Sequence, residues 1–150
     1  MTSIVEKLRS HWGFGLAEIS KMTSIPGGVL RTKPIEEMSF EDREALVDLA
    51  AFVELVGSYP NTPDPSYWLS SPIVEGYTIM REDIYRDSAR RLLLMRGHLL
   101  ANAAGKLTDE ELLKEYNPDW RDKYWSAFTV DHDEQGVAFV RPKTRREAQR

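Results

Sequence analysis

IVEKLRSHWGFGLAEISKMTSIPGGVLRTK, residues 4–33, followed by SFEDREALVDLAAFVELV, residues 39–56, decides how this chain folds. Ile4, Val5, Leu8 and Trp12 recur at helical spacing, with Glu6, Lys7, Arg9 and Ser10 on the other side, so the pattern predicts a first helix over 4–12. Ser3 is its N-cap, and Gly13 and Gly15 break it. Residues 16–22 read as a short second helix, Leu16 and Ile19 inward, Glu18 and Lys21 outward. Thr23 and Ser24 make a turn, Ile25 is an apolar peg, and Pro26 opens a third helix at its first position. Val29 and Leu30 give that helix its apolar face, Arg31, Thr32 and Lys33 finish it, and Pro34 ends it. Residues 39–57 are the most regular stretch. Ser39 caps, Asp42 stands at the capping-box position, and Phe40, Ala45, Leu46, Leu49, Ala50, Phe52, Val53 and Val56 keep the helical repeat until Gly57.

Outward from this core the character changes. Four prolines make residues 58–80 a linker with aromatic anchors at Tyr59, Tyr67 and Trp68, and Ile73-Val74 and Tyr77-Thr78-Ile79 are brief extended candidates. Residues 81–104 read as one long helix, with Ile84, Tyr85, Ala89, Leu92, Leu93, Met95, Leu99 and Leu100 inward and Arg86, Arg90, Arg91 and Arg96 outward, stopped by Gly105. Thr108 and Glu111 form a capping box for another helix that Asn117-Pro118 ends, and 119–125 is a short aromatic turn or helix. AFTVDH and VAFV around DEQG signal a β-hairpin. The last ten residues, RPKTRREAQR, lack apolar periodicity and read as a mobile basic tail. The expected architecture is mostly α: an N-terminal helical unit over 1–57, a Pro-rich linker over 58–80, a C-terminal helical unit with a small hairpin over 81–140, and a tail over 141–150.

Bulk properties narrow the function classes. At 150 residues, 41% hydrophobic and 29% charged, the chain has a globular composition. It has no cysteine, which excludes disulfides, thiolate metal sites and cysteine nucleophiles. No apolar run approaches the roughly 20 residues of a membrane helix, and the first ten residues lack a signal-peptide core, so the expected compartment is the cytoplasm. The net charge of −4 is unevenly spread. Residues 1–35 hold five Lys/Arg and two acids, 36–62 one base and seven acids, 99–140 four bases and nine acids, and the last ten residues five bases and one acid. Positive ends on an acidic body are compatible with phosphate binding at those ends.

The opening stretch meets the demands of a helix-turn-helix. Ser20 is the small residue where two helices approach, Ser24 takes the turn, Ile25 pins the second helix and Leu30 faces inward, leaving that helix's first residues for base edges in a major groove. Gly13-Phe14-Gly15-Leu16-Ala17-Glu18-Ile19-Ser20, then Ser24, Ile25 and residues 26–33, with a supporting helix over 39–56, resemble the lambda-repressor-like (Xre-type) helix-turn-helix family of phage repressors and bacterial regulators. The resemblance covers roughly residues 4–56 and implies transcriptional regulation, with Gly27, Gly28, Arg31 and Lys33 facing DNA. In this chain Thr23 stands where the family prefers a large apolar residue, and Ser20 and Ser24 replace Ala and Gly. The reading helix opens on two glycines, each costing roughly 0.8–1 kcal/mol against Ala within a helix. They admit close backbone approach to phosphate, or mean that the helix forms fully only on DNA, or make Pro26-Gly27-Gly28 a plain loop between core helices.

The candidate DNA-binding residues are therefore Lys21, Ser24, Pro26, Gly27, Gly28, Arg31, Thr32 and Lys33, with Arg141, Lys143, Arg145 and Arg146 of the tail as a second contact or a solvated terminus. The arginines of 81–104 are a solvated face or a further DNA contact. Trp120, Tyr124, Trp125 and Phe128 read as core or subunit interface ahead of base stacking. His11, His98 and His132 are scattered, and the Asp131-His132-Asp133-Glu134 run has no second ligand group, so no metal, cofactor or catalytic residue is expected. The expected function is a non-enzymatic, sequence-specific regulator of the repressor class bound to double-stranded operator DNA. A homodimer through the C-terminal unit and a monomer on an asymmetric site both stay open. The alternative is a protein-interaction module, antitoxin-like or a phage-encoded inhibitor of a host protein.

Overall fold

The computed structural model describes residues 3–58, 64–87, 91, 94 and 107–148. They form α1 (Ile4–Ser10), α2 (Leu16–Thr23), α3 (Gly27–Thr32), a 3-10 turn (Ile35–Glu37), α4 (Phe40–Gly57), α5 (Pro65–Ser70), α6 (Arg81–Arg86), α7 (Asp109–Tyr116), α8 (Trp120–Lys123), the strands β1 (Phe128–His132) and β2 (Ala138–Pro142), and α9 (Arg145–Ala148). The fold is mostly α with one small antiparallel hairpin. Two compact units divide it, Met1–Ser71 with Glu82–Arg91, and Pro72–Arg81 with Leu92–Arg150. No helix among the described residues is long and apolar enough to cross a membrane.

In the first unit the caps set the helix starts. Ser3 Oγ accepts from the Glu6 N–H at 3.1 Å while Glu6 reaches back to the Ser3 N–H, a complete capping box. Ser39 Oγ accepts from the Asp42 N–H at 3.2 Å and starts α4. Leu46, Leu49, Val53 and Val56 line the buried face of α4, against which α1, α2 and α5 pack. Leu8, Phe14, Ile19, Met22, Ile25, Leu30 and Met38 complete this core. Each such side chain contributes about 1.5–3 kcal/mol on burial. Phe40, expected inside, is 65% exposed at the first position of α4, directly after the Ser39 cap. Gly57 ends α4 beside the Trp12 ring, where an added Cβ would stand 2.7 Å from the indole.

Residues 64–71 are not linker. Asp64 caps α5, Pro65 occupies its first turn, and Trp68 and Leu69 are buried in the first unit, so apolar burial overrides the proline signal. Tyr59 lies outside the described residues. The long helix expected over 81–104 is interrupted: α6 stops at Arg86 and Asp87 bends away. The Asp87 N–H donates to the Ile84 carbonyl at 3.1 Å, three residues back, and the Tyr85 carbonyl accepts from Arg91 Nε at 3.0 Å. The expected contributions of Ala89, Arg90, Leu92, Leu93, Met95, Arg96, His98, Leu99, Leu100 and Gly105 lie outside the described residues.

The second unit centres on Ile73, Ile79, Leu94, Leu112, Leu113 and Trp120, all buried. The extended pieces around Ile73 and Tyr77 appear as isolated bridges, Pro72 to Met80 and Tyr77 to Trp125. Thr108 Oγ1 accepts from the Glu111 N–H at 3.2 Å and starts α7. The hairpin pairs Phe128 with Pro142, Val130 with Val140 and His132 with Ala138 on one face, and Thr129 with Arg141 and Asp131 with Phe139 on the other. Its polarity is inverted. Phe128, Val130 and Val140 are 53%, 42% and 69% exposed, while Thr129, Asp131 and Arg141 are half-buried. The turn is held by Asp133, whose Oδ1 accepts from the Gln135 and Val137 N–H groups at 2.9 Å each, and by Gly136 at φ +80°.

The basic tail carries regular secondary structure where it is described. Arg141 and Pro142 belong to β2, and Thr144 caps α9 by accepting from the Glu147 N–H at 3.2 Å. What periodicity missed is a polar fastening. Arg141 donates to Asp131 at 2.9 Å and to both Glu147 oxygens at 2.8 and 3.1 Å. Arg141 first, then the backbone and side chain of Thr144, draw the Glu147 carboxyl from its ordinary 4.5 down to about 2. A carboxylate with a depressed folded value stabilises above its ordinary range and loses that contribution as pH falls toward the folded value. An NMR titration should therefore show α9 staying against the hairpin through pH 4.5 and releasing near pH 2. A Glu147 inflection at its ordinary value would contradict the fastening.

Candidate nucleic-acid interface

The turn between α2 and α3 is built by the Ser24 backbone and two side chains, Ser20 and Thr23. Ser24 ends α2 in the left-handed region at φ 63°, its N–H donating to the Ser20 carbonyl at 2.8 Å. Ser20 Oγ donates to the Ile25 carbonyl at 2.6 Å. Thr23 Oγ1 donates to the Ile19 carbonyl at 2.6 Å and accepts from the Ile25 N–H at 3.3 Å. The polar residue at 23 thus ties down the backbone of the peg, and Ile25 itself is fully buried.

Pro26 is the N-cap of α3, not its first helical residue. Its ψ of 138° is extended, and its carbonyl accepts from the Val29 and Leu30 N–H groups at 3.0 and 3.2 Å. The helix begins at Gly27 and lasts six residues. Leu30 is buried and Val29 half-buried, which leaves Gly28, Arg31 and Thr32 exposed, with Lys33 beyond the helix end in extended backbone. Thr32 Oγ1 donates to the Gly28 carbonyl at 2.7 Å. Among the described residues, Arg31 and Lys33 have no ion-pair partner.

Packing does not require glycine at either 27 or 28. An added Cβ meets nothing within 4 Å at either position, and neither has a positive φ. Gly28→Ala should therefore raise stability by about 0.4–1 kcal/mol through the unfolded chain's lost freedom, measured by chemical denaturation. A loss of stability would place Gly28 against a neighbour.

The other candidates are differently engaged. Lys21 Nζ lies 2.8 Å from Glu82 Oε1 and 2.8 Å from Asp83 Oδ1. Burial opposes its charge, but the hydrogen bonds to Asp83 and Glu82 outweigh this and raise its pKa. Glu82 is 7% exposed, and its Oε2 has no hydrogen-bond partner among the described residues. Burial, then the charge of Glu82, raises the nearby Glu18 carboxyl. Arg141 is held by Glu147 and Asp131, which raise its pKa further. Lys143 donates to the Gly76 carbonyl and lies over Tyr77 and Trp125 at 4.7 and 5.0 Å, with burial lowering its pKa. Of the tail candidates, Arg145 and Arg146 are exposed without an ion pair among the described residues. The first unit thus brings Ser24, Pro26, Gly28, Arg31, Thr32 and Lys33 to one short segment and withdraws Lys21. Arg9, read from the sequence only as an outer residue of α1, lies along the same groove as Arg31 and Lys33. Its one sequence signal is membership of the positive segment 1–35. No protein-family model, curated protein or solved structure matches the chain.

Proposed function

We propose that the first unit is a double-stranded DNA reader and that the protein is a sequence-specific transcriptional regulator of the repressor class, reading the major groove with α3. The observation that supports this most directly is the tied left-handed turn at Ser24, followed by a short helix that buries Leu30 and leaves Arg31 and Lys33 exposed, with no ion-pair partner among the described residues. A helix-turn-helix needs a tight crossing, an apolar pin and a second helix whose outer residues are free for bases and phosphates. The resemblance to lambda-repressor-like regulators points the same way. Six residues with two glycines offer few side chains for bases, so phosphate contacts carry a large share of affinity on this reading.

The test is duplex binding across a salt series, with an operator selected from random sequence. Affinity that falls steeply with salt and a recovered consensus support the reading. A slope near zero with no selected sequence rejects it.

A further inference from the structure

Between α1 and the segment leading from α3 into the 3-10 turn lies a groove of about 360 Å³. Arg9, Arg31 and Lys33 are among its lining residues, and Glu6 is the single acid there. Glu6 is already engaged in the α1 capping box. The floor is apolar: Leu30 and Met38 are 6% and 5% exposed, and Ile35 extends it. Arg9 is exposed and has no ion-pair partner among the described residues. Lys7, on the same helix, is different: its Nζ sits 2.6 Å from Glu54 Oε1, and both residues line a separate hollow against α4.

Three cations around one hollow repel each other, and an anion relieves that repulsion. An inorganic anion would not use the apolar floor. A sugar-phosphate chain uses both parts, its deoxyribose carbons against Leu30 and Met38 and its phosphates against the rim. We propose that this groove holds the backbone of one strand of duplex DNA, and that Arg9, outside the helix-turn-helix, is a phosphate-binding residue. The assignment rests on the DNA reading above and extends the contact surface from α3 to α1.

The experiment compares the full-length protein with Arg9→Ala, Arg9→Lys and Lys7→Ala on duplex DNA over a salt series. Removing one phosphate contact lowers the slope of log affinity against log salt by about 0.9 and costs about fivefold near physiological salt by the same constant. Arg9→Ala should show that loss on operator and unrelated duplexes alike, with an unchanged unfolding midpoint. Arg9→Lys should keep the slope, and Lys7→Ala, the same charge change on the other side of α1, should leave affinity and slope as they were. If Arg9→Ala binds like wild type while Arg31→Ala is weakened, the groove assignment falls and the reader stands. An equal loss in Lys7→Ala would trace the effect to net charge and also overturn the assignment. A wild-type protein that binds no duplex overturns both.

Discussion

Replacing Ile25 by Ala is expected to destabilise the first unit by about 2–5 kcal/mol, the range for truncating a buried aliphatic side chain that leaves a cavity. The upper part of the range is favoured by the surroundings. Ile25 is fully buried. Its N–H is bonded to Thr23 Oγ1 and its carbonyl to Ser20 Oγ, so the backbone is tied to α2 on both sides. On the other side Pro26 fixes the entry to α3 at φ −56°. Hydrogen exchange at α2 and α4 amides would report the loss within this unit, where a whole-chain melt mixes two units. Val47→Ala, on the 51% exposed side of α4, should change stability by no more than about 0.5 kcal/mol. A comparably small effect of Ile25→Ala would mean that the peg does not hold the two helices together.

The second large effect is expected in binding. Arg31→Ala should cost about 1–3 kcal/mol on the selected operator, roughly 5–150-fold, and relax the preference at the base it meets. Arg31 fits this role because it projects from the exposed side of α3 one residue beyond the buried Leu30. Lys33 is placed differently. It follows the helix at φ −97° and ψ 124°, away from the regular helical presentation. Lys33→Ala should weaken all duplexes by a similar factor and reduce the salt slope by about 0.9. The pair therefore separates base reading from phosphate anchoring in one set of isotherms. Wild-type affinity and specificity in both variants would reject α3 as the reading element.

Thr23 shows how a polar substitution in an apolar pattern is understood only in three dimensions. By sequence it is a departure from the large apolar residue the pattern favours; in the fold its hydroxyl bonds two backbone groups of the turn. Lys21 shows the reverse. Its position on the outward side of α2 made it a phosphate candidate, and carboxylates sixty or more residues later in the chain, Glu82 and Asp83, claim it.

What the sequence determined by itself was local. Helix starts at Ser3, Ser39 and Thr108, the turn at Ser24, the buried repeat of α4 and the hairpin around Gly136 all depend on residues within a few positions of one another, through caps, left-handed tolerance and periodicity. Only the tertiary structure decided which charges stay free. Arg31 and Lys33 have no ion-pair partner among the described residues, Lys21, Arg141 and Lys143 are bound by groups that other elements bring to them, and Arg9 is brought to the groove beside α3. It also ended α6 at Arg86, where Asp87 bends, and turned the hairpin's apolar face outward. The physical reason is common to all of these. An ion pair, a captured carbonyl or a burial preference depends on which surfaces meet, and periodicity along one segment does not encode what will be packed against it.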